Sequence, residues 1–168
     1  GGGSMSGVDG GYPNERVMWH GTGDTDPLDI LKHEMALDYR FSKGGLWEKS
    51  PAGFYGRGLY LAKRACYSDG NNQKRYAFEY PDKSRSILLV RVALGKFKNF
   101  QSAIDRTLVM PPRDDSTGLL YDSVVGGPHR PDQRGRGNRD SKICVVYDLC
   151  QTYPEYIVTY SPLPSINV

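Results

Sequence analysis

No stretch of this chain stays apolar long enough to cross a bilayer, and no secretory leader can be read at its start. The expectation is an intracellular protein, cytoplasmic or nuclear, with no membrane partner. Cysteine is scarce: Cys66, Cys144 and Cys150 are odd in number and share no recurring interval. That leaves no disulfide framework and no zinc-ligand spacing, so free thiols and no metal are expected. Charge of one sign is also in short supply. The net charge is only +3 and no long basic block supplies it, which gives little ground for a nucleic-acid-binding surface. No repeat or linker composition divides the 168 residues, a length that suits a single core and a monomeric domain.

What is present is glycine and tyrosine, 20 and 12 residues, a composition suited to a loop-rich, sheet-rich domain with an aromatic-lined pocket. Residues 1–4 read as a cloning remnant, 1–13 as a flexible N-terminus, 14–162 as one domain and 163–168 as a tail. Residues 16–20 form a short apolar run stopped by Gly21, hence a strand. Asp26-Pro27 supplies an N-cap and a first-turn proline for a helix to about Met35. Residues 38–58 read as a long functional loop. The stretch 62–80 reads as helical with a break at Asp69-Gly70. Residues 86–93 make a nearly continuous apolar strand covered on both faces, and 143–147 and 156–160 are two later strands joined by a proline-containing turn. Residues 126–142 form a surface loop with five basic side chains from Arg130 to Lys142.

Strands gathered in the second half and helices in the first imply an α+β fold with a largely antiparallel sheet, rather than alternating βαβ units. A Rossmann fingerprint is missing too. Gly56-Arg57-Gly58 lacks the third glycine, Leu61 standing in its place.

Four segments in order nevertheless converge. Asn14-Glu-Arg-Val-Met-Trp-His20-Gly21-Thr22, Tyr55-Gly-Arg-Gly-Leu-Tyr60-Leu-Ala62 with Cys66-Tyr-Ser68, Leu119-Leu-Tyr-Asp-Ser-Val-Val125, and Gln151-Thr-Tyr-Pro-Glu-Tyr-Ile-Val-Thr-Tyr160 span nearly the whole chain. Together they resemble the catalytic domain of the poly(ADP-ribose) polymerase superfamily. The resemblance implies a split, mainly antiparallel sheet with short flanking helices, NAD as substrate, and ADP-ribosyl transfer with release of nicotinamide.

Breaking the nicotinamide–ribose bond is mostly a matter of positioning and electrostatics, because positive charge builds on the anomeric carbon. By the resemblance, His20 hydrogen-bonds the adenosine ribose, and the backbone of Gly21, followed by Thr22, pairs with the nicotinamide carboxamide. Ser68 supplies a third carboxamide contact, beside Tyr67 and near Ala62. Tyr60 and Tyr76 are expected to sandwich the nicotinamide ring. Arg40 either covers the adenosine or is a solvated surface residue. Tyr121, Tyr147, Tyr153 and Tyr156 are expected to be packing residues, and Asp122-Ser123 to cap a strand end.

Polymer-forming relatives carry a glutamate eight residues before the glutamine of the last element; here that position is Ile143. Isoleucine has no lone pair to accept a ribose hydroxyl or polarise an incoming one. Neither neighbour, Lys142 nor Cys144, restores a carboxylate. The pattern His20, Tyr60, Ile143 therefore resembles the branch that transfers one unit, with the acceptor, an Asp, Glu or other protein side chain, supplying its own carboxylate. A binding module without catalysis and a nucleic-acid-end transferase using the 126–142 loop are the alternatives. With no helical regulatory subdomain ahead of Asn14, NAD access without DNA activation is expected.

Overall fold

The computed structural model describes residues 14–32, 53–70, 74–129 and 140–161. Eight strands within them form one sheet. β1 (Glu15–His20) pairs antiparallel with β4 (Arg85–Ala93), so that His20 faces Leu88 and Glu15 faces Ala93. On the other side of β1 lies β2 (Leu59–Ala62), which joins β7 (Ile143–Val146), and β7 joins β6 (Ser123–Gly126). β5 (Phe97–Asn99) borders β6 in the one parallel pairing among the described strands. The far side of β4 carries β8 (Thr152–Tyr160), while two-residue β3 (Phe78–Glu79) pairs with β4 beyond the end of β1. The architecture is α+β with a largely antiparallel sheet.

The order of strands differs from the expected gathering in the second half. β1 and β2, both from the first half, hold the middle of the sheet. Their runs are too short for periodicity to rank them above the longer β4.

Among the described residues, helices are few and short. α1 (Pro27–Leu31) begins as its sequence dictates: Pro27 opens it and the Asp26 carboxylate accepts the Leu28 N–H at 2.8 Å. It stops at Leu31, and Met35 lies outside the described residues. The helix expected over 62–80 reduces to α2 (Ala65–Asp69), since Ala62 ends β2 and Phe78 opens β3. Gly70 terminates α2 with φ 91°, a left-handed conformation that glycine adopts without strain. The Asp69 carbonyl then accepts the N–H groups of Tyr76 and Ala77 at 3.1 and 3.3 Å, turning the chain back. Its carboxylate accepts the Tyr160 hydroxyl at 2.6 Å and the Arg85 guanidinium at 3.1 Å. Contacts from β4 and β8 thus hold the helix end in place, and no local propensity could report them.

Two apolar clusters lie on the sheet. One gathers Met18, Leu59, Leu61, Leu88, Val90 and Val92, among others; the second gathers Tyr55, Ala62, Val124, Ile143 and Val145. Complete burial of residues such as Ile143 and Val145 is worth about 1.5–3 kcal/mol each. β7 is buried throughout, whereas β4 is only partly covered on its second face: Leu89 is half-buried and Arg91 exposed. Cys66, Cys144 and Cys150 form no disulfide among the described residues.

β8 starts four residues earlier than expected, directly after a 3₁₀ turn (Leu149–Gln151). Its Pro154 is tolerated because, among the described strands, β8 pairs only with β4. The register shifts where Leu89 faces Tyr156 and Val90 faces Pro154. This bulge puts Tyr153 and Tyr156 on the same outer face, 68% and 64% exposed, so they are not the packing residues expected. Tyr147 does pack on the second cluster and donates its hydroxyl to the Tyr55 carbonyl at 2.7 Å; Tyr121 is half-buried beside Lys96 and Lys98. Asp122 accepts the Lys96 N–H and Ser123 donates to the Leu94 carbonyl, both at 2.7 Å, fixing the start of β6 as expected.

Candidate active site

A cavity of 540 Å³ opens where β1, β2 and α2 meet, within the range of small-molecule sites. Its walls include His20, Gly21, Tyr60, Tyr67, Ser68 and Tyr76. Ala62, expected near the site, also lines it.

His20 ends β1 and directs Nδ1 to the backbone carbonyl of Tyr60 at 2.8 Å. A carbonyl oxygen only accepts, so Nδ1 carries the ring proton and Nε2 remains an acceptor. Burial pulls the imidazole pKa below its ordinary 6.5 against the opposing effect of that carbonyl, which keeps the ring neutral near neutral pH.

Gly21 is fixed by close approach. A Cβ built there would strike the carbonyl oxygens of Ser68 and Tyr76. Only a residue without a side chain lets β1 continue between the two segments that carry the aromatic wall. The Tyr76 carbonyl also accepts the Gly23 N–H at 2.7 Å.

Tyr60 is held at its hydroxyl. The oxygen donates to the Gly56 carbonyl and accepts the Tyr55 N–H, both at 2.8 Å, so it closes the 53–56 turn. Burial raises its pKa to about 12. The rings that face one another are Tyr67 and Tyr76, inclined by only 13° with centroids 6.0 Å apart. Tyr67 thus stacks on Tyr76 in the cavity wall, and Tyr60 lines the same cavity. The tethered hydroxyl fixes the orientation of the Tyr60 ring in that wall.

Ile143 pairs with Ala62 and belongs to the cluster against which Tyr60 and Tyr67 pack. It is fully buried and does not itself line the cavity. Strand alternation sends Cys144 to the opposite face, where its Sγ lies 3.1 Å from Met18 Sδ. The side chain behind Tyr60 is thus an isoleucine, with no carboxylate on either side in sequence.

Thr22 does not line the cavity, contrary to expectation; its hydroxyl donates to the Thr25 carbonyl at 2.7 Å and shapes the turn into α1. Arg40 lies outside the described residues, as do Arg130, Arg134, Arg136 and Arg139 of the 126–142 segment. Gly53, Phe54, Arg57, Lys74 and Arg106 line the cavity without having been singled out in the sequence. Two of these, Gly53 and Arg57, flank the 53–57 turn closed by Tyr60, so the motif around them held a usable signal. Arg106 sits in a loop with no motif and gave none.

Residues 9–162 match the family model described as the poly(ADP-ribose) polymerase catalytic domain. The chain belongs to that family. Among poly(ADP-ribose) polymerase relatives it is 30% identical to protein mono-ADP-ribosyltransferase PARP11 of Homo sapiens and of Mus musculus, each match covering 88% of this chain. It is 28% identical to protein mono-ADP-ribosyltransferase PARP10 of Mus musculus over the same share. The chain spans only 41% and 42% of the human and mouse PARP11 sequences and 13% of PARP10.

Proposed function

We propose that this chain transfers a single ADP-ribosyl unit from NAD to a protein acceptor and releases nicotinamide. The observation that carries the reading is the near-parallel Tyr67–Tyr76 pair beside Gly21 and Tyr60 in one cavity. The aromatic faces in this wall give a flat ring a surface to stack on. The names of the relatives point the same way.

When bound, NAD supplies the ADP-ribosyl group and a nicotinamide leaving group. His20 Nε2 accepts a hydroxyl of the adenosine ribose. The backbone N–H and C=O of Gly21 and the hydroxyl of Ser68 grip the carboxamide. Tyr67 and Tyr76 fix the ring plane, and Tyr60 closes the wall from which its own hydroxyl is turned away by Gly56. These groups act by orientation, which is where most of the gain lies in this kind of displacement. Ile143 offers no lone pair with which to activate a ribose hydroxyl, so a second unit has no base to receive it. The limit of one unit rests on that missing group.

Incubation with labelled NAD followed by intact-mass and gel analysis tests this reading. One added mass per modified site is expected. A ladder of masses would overturn the single-unit limit, and NAD binding without any label would make the domain a binding module. Label on a nucleic-acid end in preference to protein would redirect the acceptor assignment.

A further inference from the structure

We infer that Asp69 is a positioning residue for the nicotinamide end of the site, its carboxylate braced by Arg85 of β4 and Tyr160 of β8. The inference rests on the NAD reading above and concerns what holds Ser68 and Tyr76 where that reading needs them.

Asp69 joins the two. It follows Ser68 at the end of α2, and its own carbonyl accepts the N–H groups of Tyr76 and Ala77 at 3.1 and 3.3 Å. Ser68 and Tyr76 both line the cavity, and Asp69 itself does not. The segment after β1 is fitted to the same pair. The Gly23 N–H donates to the Tyr76 carbonyl at 2.7 Å, and a Cβ at Gly21 would strike the carbonyls of Ser68 and Tyr76. A shift of the α2 end is therefore a shift of the Ser68 hydroxyl, the Tyr76 ring and the Gly21 backbone relative to one another.

A helix of five residues does not fix that end alone, because so short a helix is unstable by itself. Its anchor is distant in sequence. Arg85 and Tyr160 stand directly opposite each other in the β4–β8 pairing, so their side chains leave the same face of the sheet. Both reach one oxygen, Asp69 Oδ1: the Tyr160 hydroxyl at 2.6 Å and Arg85 Nη1 at 3.1 Å.

The brace also reaches round Tyr76. Arg85 Nε donates to Glu79 Oε2 at 3.2 Å, and Arg75 Nη1 lies 3.2 Å from Glu79 Oε1. Arg75 Nε in turn donates to the Ala77 carbonyl at 3.1 Å, so the residues on either side of Tyr76 are tied through Glu79 to Arg85. The side chains of Asp69, Glu79 and Arg85 are 13%, 18% and 27% exposed, which sets them apart from a solvent-screened surface pair.

Asp69 acts through Ser68 and Tyr76, and both serve the nicotinamide half of NAD. Free nicotinamide depends on them, whereas ADP-ribose carries no nicotinamide to be gripped. The two ligands thus separate loss of positioning from general damage to the fold.

The test uses the 168-residue chain and titration calorimetry with nicotinamide and with ADP-ribose, at a temperature where a thermal melt shows each variant folded. With Asp69→Ala, nicotinamide affinity is expected to fall about ten-fold while ADP-ribose affinity stays within about two-fold. Asp69→Asn keeps an oxygen at the Oδ1 position and should recover most of the loss. Tyr160→Phe removes one hydroxyl and should weaken nicotinamide about three-fold with ADP-ribose unaffected. That variant decides the matter if Asp69→Ala does not fold. Equal losses for the two ligands would overturn the assignment by making Asp69 a general stability residue. So would an Asp69→Asn variant as impaired as Asp69→Ala. An unsubstituted chain that binds neither ligand would remove the NAD reading and this assignment together, whereas nicotinamide binding that ignores all these substitutions removes only the latter.

Discussion

Nδ1 of His20 and the backbone carbonyl of Tyr60 lie 2.8 Å apart, so the end of β1 and the middle of β2 share one hydrogen bond that also fixes the imidazole tautomer. The proton on Nδ1 leaves Nε2 as the acceptor. Protonating Nε2 would cancel that role.

A pH dependence follows with a definite sign. Unfolded His20 takes its proton near 6.5, whereas burial holds the folded ring to a lower value. Between those two values the unfolded chain binds more protons. Stability therefore falls as pH drops below about 6.5 and levels off under the folded pKa. Urea unfolding across pH 4 to 8 (an experimental window of about four units) should show a weaker acid limb in His20→Ala. The same variant should lose labelling; retained labelling would remove His20 from the site.

Tyr60→Phe separates the wall from its tether. The variant keeps the ring but leaves the Tyr55 N–H without its partner and the Gly56 carbonyl with only the Gly53 N–H. The expected cost is about 1–3 kcal/mol in a thermal or denaturant melt. No loss of stability would mean that water replaces the hydroxyl without penalty.

Tyr67→Ala and Tyr76→Ala each remove one ring of the stacked pair. Stacking is worth about 0.5–1.5 kcal/mol beyond burial, so nicotinamide or NAD affinity should weaken about two- to twelve-fold for each. Titration calorimetry measures this. If Tyr60→Phe weakened binding more than either alanine variant, the ring-holding pair would need to be reassigned.

At Gly21 even a methyl group is too much. Gly21→Ala drives a Cβ against the Ser68 and Tyr76 carbonyls, and both walls must move for it to fit. A loss of about 1–3 kcal/mol is expected, with weaker NAD binding at the same time. A normal melting temperature with normal affinity would show that the two segments yield freely.

Ile143→Glu is expected to damage the fold rather than create a polymerase. The position is fully buried against Tyr55, Ala62, Val124 and Val145, and a carboxylate there has to be desolvated or protonated. Lower stability and no polymer are the expected outcome by denaturant melt and gel. Polymer formation by this variant would show that residue 143 alone sets product length.

Much of the site was legible in sequence because its residues come as short motifs with separate chemical demands. His20-Gly21, Tyr60 and Tyr67-Ser68 all line the cavity they were expected to share. Tyr76 lines it as well. The stacking of Tyr67 on Tyr76 was not legible, because spacing along a chain does not show which rings meet across a turn. Thr22 was assigned to the site from its place in a motif, and its hydroxyl is engaged by its own turn.

The sequence by itself determined the α+β class, the strand ends at His20 and Ala93, the Asp26-Pro27 helix start and the absence of a carboxylate at residues 142–144. Each depends on local chemistry: caps, apolar runs and the lone pairs a side chain has or lacks. Tertiary structure alone decided that the described part of 62–80 holds only a five-residue helix, since Arg85 and Tyr160 must arrive from β4 and β8 to bind Asp69. It also decided that Tyr153 and Tyr156 face outward, through a bulge defined only by pairing with β4. Above all it brought Arg106 beside Tyr60, 46 residues away in sequence, by fastening one loop backbone to another. Backbone hydrogen bonds of that kind carry no side-chain signature, which is why the fold had to form before the residue could be recognised.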